Sequence, residues 1–405
     1  MLTRKSIFLY TSLFYTLYVI FPLFGDMAGL PVWLPSMFAV AVMFALYPEV
    51  FTNKMMTWFW AYAAVLGFYV IIGKPLSIGI GTVADSKKIF IEFAYILPAI
   101  SIFSIFYYLN DSELAKKYFI WSTIVLYASF VVALPLMVRY SSLREALAEN
   151  DETLRVVGLP NYSLMHAYTL LVPVACFAVK MSDGTRRFLS ICALIILCFV
   201  IYSTFVTTSL IIVIAVIVLA FSYNGSRSSS YYTTICLLAL IGWVLYEFGF
   251  FLEVVDAIYP FFEGTPVQPK LDDFRKSMIH GELQGGTIIV RQNLHEISLN
   301  SFFSSPIWGS SSVGSHSSLL DRFGGLGLLG GVPFVMIFIS FYKMGCRWFA
   351  SYALHTFFIL SLFVGIVFLY QKGNWGGESW LMMMVMMPLS LSVLNLIYSN
   401  TNKTK

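Results

Sequence analysis

The chain has 405 residues, of which 59% are hydrophobic, 17% aromatic and only 11% charged, and its formal net charge is +4. A soluble domain carries about 25% charged residues, so this composition excludes a soluble enzyme, and it excludes a disordered chain for the opposite reason. With no basic run able to neutralise several phosphates, a nucleic-acid partner is excluded as well.

What remains is an all-α integral membrane protein. At about 20 residues per span, apolar runs of spanning length fall at 6–25, 29–47, 55–73, 89–109, 117–138, 161–179, 188–204, 207–223, 231–251, 325–342, 349–370 and 378–398. These predict about 12 transmembrane helices in one polytopic domain covering residues 1–405. The first run follows Met1 to Lys5 as in a signal peptide, but no small-x-small cleavage site follows it, so it reads as an uncleaved helix. In the fourth run, Glu92 lies one turn inside and four residues after Lys88, which suggests a local ion pair, although intramembrane carboxylates are functional suspects. Between the fifth and sixth runs lies a polar loop, 139–160, that contains Arg139, Arg144 and Arg155. Between the ninth and tenth lies a much larger one, 252–324.

Basic residues set the sidedness. With the N-terminus inside, Arg4, Lys5, Lys54, Lys116, Lys117, Arg186, Arg187, Lys343 and Arg347 all fall on short inner connections or tails. An even span count then places both termini in the cytoplasm and both polar loops outside, so function is expected on the outer face. None of the cysteines lies in the large loop, which can therefore face an oxidising compartment without disulfides.

Within the large loop, Val290, Leu294, Ile297 and Phe302 recur near helical spacing and predict an amphipathic helix over 289–303. Arg291 and His295, four residues apart, share one face of it. Pro306 and Gly309 end that helix, and a Ser/Gly stretch leads to His316. Ser318 with Asp321 forms a capping-box pattern, which places His316 just before a helix N-terminus. Unpaired N–H groups and the helix dipole attract phosphate there and disfavour protonated imidazole, so a neutral His316 is suited to accept a proton beside an anion. The plainer account is a loop histidine bonded to serines. Arg291, Arg155 and Arg139 can clamp a pyrophosphate through bidentate contacts, or serve only as solvated or headgroup-facing charges. His166 and His355 lie in spans and read as packed or hydrogen-bonded between helices, and His280 as a surface residue. No HExxH, paired-cysteine or acidic-cluster pattern suggests a metal, and no Walker loop supports ATP-driven transport. Gly327-x-x-x-Gly331 permits close helix packing.

Arg291-Gln-Asn-Leu-His295 through Pro306-Ile-Trp-Gly309, then Ser315-His316-Ser317-Ser318-Leu319-Leu320-Asp321 and Gly324-Gly325-Leu-Gly-Leu-Leu-Gly330, resembles the O-antigen polymerase (Wzy-type) and ligase superfamily. Arg155-Val-Val-Gly158-Leu-Pro160-Asn161 resembles a second, weaker signature of that family. The resemblance implies a GT-C-like membrane glycosyltransferase of the bacterial inner membrane, needing no metal and no cofactor. Donor and acceptor would be oligosaccharides on undecaprenyl pyrophosphate, with a flippase and a chain-length regulator as further partners. It assigns His316 to the acceptor hydroxyl and Arg291 and Arg155 to the departing diphosphate, with His295, Asn161, Arg139 and Asp321 in support. The chain departs from the family where a Ser-Arg-Gly turn is often found, having Ser203-Thr-Phe-Val-Thr-Thr208 instead, and where an aromatic often follows the loop arginine, having His295. The Ser-His-Ser-Ser motif is closer to polymerases of repeat units than to ligases that transfer the glycan to lipid A core. A polysaccharide or ion transporter, the reading from another class, predicts two matched halves, a Pro/Gly-broken pair of spans and charged midplane residues; no internal repeat is evident, and the charges lie mainly at the outer edge.

Overall fold

The computed structural model describes residues 3–21, 33–78, 85–139, 162–203, 207–223, 250–264, 287–349, 351–371 and 375–402, with 268–269, 271–272 and 275. Every regular element among them is helical. In chain order these are α1 (Arg4–Ile20), α2 (Trp33–Leu46), α3 (Lys54–Ile71), α4 (Asp85–Leu109), α5 (Ser112–Arg139), α6 (Tyr162–Thr169), α7 (Val172–Met181), α8 (Gly184–Ser203) and α9 (Thr207–Ser222). After them come α10 (Phe250–Ile258), α11 (Thr287–Ser304), α12 (Ser318–Trp348), α13 (Tyr352–Gln371), α14 (Gly377–Leu381) and α15 (Met387–Asn402). A π-helical segment, Met382–Met386, joins the last two.

Among the described residues six helical stretches are long and apolar enough to cross a membrane: Lys54–Ile71, Asp85–Leu109, Gly184–Ser203, Ser318–Trp348, Ala353–Gln371 and Gly377–Tyr398. The other predicted runs lie on α1 and α5, on shorter apolar helices, or outside the described residues. The run at 161–179 is interrupted: α6 stops at Thr169, and α7 restarts at Val172 with Pro173 in its first turn, where a missing N–H costs nothing. The run at 231–251 lies almost wholly outside the described residues, as do His280, Arg155 and Asn161. Arg139 is the last residue of α5, and its side chain is likewise outside the description.

Local chemistry sets the helix ends. Asn53 caps α3 by accepting from Met56 N–H at 3.0 Å, and Gly73 (φ 69°) turns the chain away beyond it. Asp111 caps α5 by accepting from the N–H groups of Glu113 and Leu114. Lys5 Nζ also donates to Asp111 at 2.6 Å, tying α1 to the α4–α5 turn; that bond first, then the backbone donors, holds the carboxyl below its ordinary range.

Helix α4 lies at the centre of the bundle, against α2, α3 and α14, while α8 is peripheral with Ile195 and Phe188 pointing outward. Interlocked rings fill the interior, for example Phe103 against Phe341 at 4.7 Å and against Trp348 at 5.7 Å. Helix α12 packs on α3, α11 and α13, and its N-terminal end carries the candidate site.

Candidate functional site

The site is built around a break in α12. Gly327 adopts φ 63° and ψ −160°, a conformation that only glycine takes readily, and it interrupts the helical ladder. Backbone groups on both sides of the break bond to the turn that precedes α12 and to the end of α3. Leu328 N–H donates to Pro306 O at 2.7 Å and Leu329 N–H to Ile307 O at 3.3 Å. In return Ser310 N–H donates to Gly324 O at 2.7 Å. The carbonyl of Leu326 accepts from the Tyr69 hydroxyl at 3.1 Å, and that of Gly325 from Lys74 Nζ at 3.4 Å. Lys74 also donates to the carbonyls of Trp308 and Gly309, and burial pushes its ammonium pKa below the ordinary value. The turn from Pro306 to Gly309 is therefore spliced into the broken helix.

This splice explains the glycines. A side chain at Gly309 would overlap the backbone of Gly325, and one at Gly327 the carbonyl of Ile307. Gly327 and Gly331 thus do not form the helix-packing motif expected from their spacing. Gly327 breaks the helix instead, and Gly331 makes room for the ring of Phe323.

A second lock fixes the loop before α12. Ser317 caps the helix, its hydroxyl accepting from Leu320 N–H at 3.1 Å, one residue earlier than the capping-box spacing predicts. Asp321 reaches back with Oδ2 to Ser317 N–H at 3.2 Å, because one further residue of helix still lets its carboxylate bend over the first turn. Its Oδ1 accepts from the Ser298 hydroxyl of α11 at 2.7 Å, and that hydroxyl accepts from Gly314 N–H at 2.9 Å. Ser298, Ser317 and Asp321 are all fully buried. Between the two anchors Ser315 is forced to φ 55°, one of two positive values among described non-glycine residues. His316 follows at once, so its position is set on both sides.

Two imidazoles meet there. The rings of His295 and His316 lie 6.0 Å apart, and His295 also rests 4.9 Å from the ring of Tyr370 on α13. Burial, then the positive charge of Arg291 one turn away, lowers the pKa of His295 below 6.5. Both causes favour the uncharged imidazole. Arg291 is half-buried on the same face of α11, as the four-residue spacing predicts.

The α11 surface itself departs from expectation. Leu294 and Phe302 are partly covered, but Val290 and Ile297 point outward. The residues of α11 in the buried class are Ser298 and Ser301, at the level where Gly324 brings α12 against the backbone of Ser298.

Beneath the loop lies a group absent from the sequence reading. Arg322 is buried and its guanidinium pairs with Glu92 of α4. It also donates to the Tyr62 hydroxyl at 3.1 Å and to Ser318 O at 2.7 Å, and stacks 4.4 Å over the ring of Phe334. Glu92 therefore does not pair with Lys88, which bridges instead to Asp85 at 3.1 Å and donates to Leu76 O. Helical spacing placed the two residues on one face, but the buried carboxylate takes the bidentate-capable partner deep in the bundle. An arginine at the head of a glycine-rich apolar run was the available signal.

His166 bonds Ser209 through Nδ1 at 3.0 Å, and His355 bonds Cys346 O at 2.8 Å, both between helices as expected. Among the described residues no three His, Cys, Asp or Glu side chains are grouped to hold a metal. No protein-family model and no curated protein matches the chain.

Proposed function

We propose that the chain is a metal-independent glycosyltransferase of the bacterial inner membrane that polymerises lipid-linked oligosaccharide repeats. The carrying observation is the convergence of His316, His295 and Arg291 on a loop locked against a helix N-terminus. His316 takes the proton of the acceptor hydroxyl as that oxygen attacks sugar C1. Arg291 balances the charge growing on the departing pyrophosphate, with Arg155 as a second guanidinium. A neutral His295 beside Arg291 adds a hydrogen bond without adding repulsion between cations. Asp321 acts by holding the loop, not by touching substrate.

On this reading the chain crosses the membrane about twelve times in a GT-C-like arrangement, with both termini in the cytoplasm and His316 on the periplasmic face. The substrates are undecaprenyl-pyrophosphate glycans as donor and acceptor, with a flippase and a chain-length regulator as neighbours. Transfer to lipid A core by the same groups is the second reading; the Ser-His-Ser-Ser sequence favours polymerisation.

Gel analysis of surface polysaccharide tests both. Cells carrying His316→Ala or Arg291→Ala at normal protein levels should lose long chains and retain core capped by a single repeat. Long chains in either variant would remove the assigned residue from the chemistry, and uncapped core would move the activity to ligation.

A further inference from the structure

In α11 the outward side chains are mixed on the N-terminal part, where Gln292, Asn293 and Glu296 are exposed together with Val290 and Ile297. Further along, Leu299 and Phe303 point outward, Phe303 being 70% exposed, and the turn that follows presents Ile307 and Trp308. Small serines occupy the inward face at the same level. In water this distribution is inverted, since each large apolar side chain left exposed forgoes the free energy of its burial. Against hydrocarbon it is the expected one.

The patch does not stand alone. The ring of Trp308 lies 6.2 Å from Phe68, and its carbonyl accepts from Tyr69, both at the end of α3. Helix α3 is itself long and apolar enough to cross a membrane, and its end shows Phe68 and Ile71, the latter 83% exposed. The surface from Phe303 through Trp308 is therefore continuous with the outward face of a spanning helix. A half-exposed indole at such a boundary is the usual interfacial anchor.

We infer that the C-terminal part of α11 and the turn from Pro306 to Gly309 are seated in the lipid leaflet at the end of α3, with a bilayer as the covering partner. The N-terminal part of α11, with Arg291, then stands on the aqueous side of that boundary. Through the splice at Gly327, lipid contact at Ile307 and Trp308 bears on the helix that starts beside His316. The site would thus be held at the depth where a lipid-tethered headgroup sits. The inference requires that the chain is a membrane protein and is independent of the reaction it performs.

Spin labels on single cysteines, in a cysteine-free full-length chain within phosphatidylethanolamine–phosphatidylglycerol vesicles, test it. Labels replace Phe303 and Ile307, with Ile195 on the outward face of α8 as the lipid reference and Glu296 as the aqueous one. Relaxation by oxygen should exceed relaxation by a water-soluble nickel chelate at 303 and 307, as at 195, and the order should reverse at 296. If 303 and 307 behave like 296 while 195 remains oxygen-favoured, the seating is wrong and the membrane assignment stands. Protection from both reagents would mean a protein contact and would also overturn it. A nickel-accessible 195 would remove the membrane premise, and the inference with it.

Discussion

Arg322 and Glu92, 230 residues apart in the chain, form an ion pair inside the helical bundle beneath the His316 loop. The pair is costly to desolvate and is held by the Tyr62 hydroxyl, the Ser318 carbonyl and the face of Phe334. It fastens the short N-terminal part of α12, before the break at Gly327, to α3 and α4.

Removing one partner strands the other charge. Arg322→Met or Glu92→Leu alone should each destabilise the folded protein by about 3–5 kcal/mol. The double variant should recover most of that loss, because two apolar side chains leave no charge to solvate. Thermal unfolding of the purified variants in detergent checks this; additive losses would show that the two groups do not act as a pair.

The loop before α12 offers a sharp contrast among glycines. At Gly314 a methyl group would overlap the carbonyl of Leu294, whereas at Gly67, in mid-helix, it meets nothing within 4 Å. Gly314→Ala should cost about 1–3 kcal/mol through overpacking, displacing α11 from the loop. Gly67→Ala should gain up to about 1 kcal/mol from helix propensity. Melting temperatures of the two variants should move in opposite directions.

Ser298 joins α11 to both ends of the His316 loop. Ser298→Ala leaves Gly314 N–H and one Asp321 oxygen without their partner, at about 1–3 kcal/mol. Diethyl pyrocarbonate should then modify His316 faster than in the parent chain, with peptide mass spectrometry locating the adduct. An unchanged rate at His316, with stability lowered, would confine Ser298 to a packing role.

The neutral His295 gives a pH signature of definite sign. Its folded pKa lies below 6.5, the unfolded value, so the unfolded chain takes up the proton first as pH falls. Stability from this residue is complete above pH 6.5 and is lost as pH drops towards the folded pKa. Melting temperature should therefore fall on acidification below that point, and less steeply in His295→Phe, where no proton is taken up. Parallel curves for the two chains would place the acid sensitivity elsewhere.

Apolar run length and charge poverty were enough to indicate an all-helical chain with long apolar helices, because span length follows from bilayer thickness. The spacing of Arg291 and His295, and the placement of His316 before a helix, were also legible, since both depend on local geometry alone. The cap was read one residue late because a serine stands at both 317 and 318 and the two spacings look alike in sequence. The break at Gly327 was not legible: a glycine four residues before another suits close packing equally well, and only the carbonyls of Pro306 and Ile307 decide. Nor was the Glu92–Arg322 pair, since a contact across 230 residues leaves no local pattern and Lys88 offered a nearer cation.

The most direct measurement of the central claim is chain extension by the purified protein in vesicles supplied with an undecaprenyl-pyrophosphate-linked repeat. The parent chain and His355→Ala, whose histidine bonds a backbone carbonyl between helices, should both build a ladder of products. His316→Ala, folded to the same melting temperature, should leave the single repeat unextended. A ladder from His316→Ala at the parental rate would contradict the account.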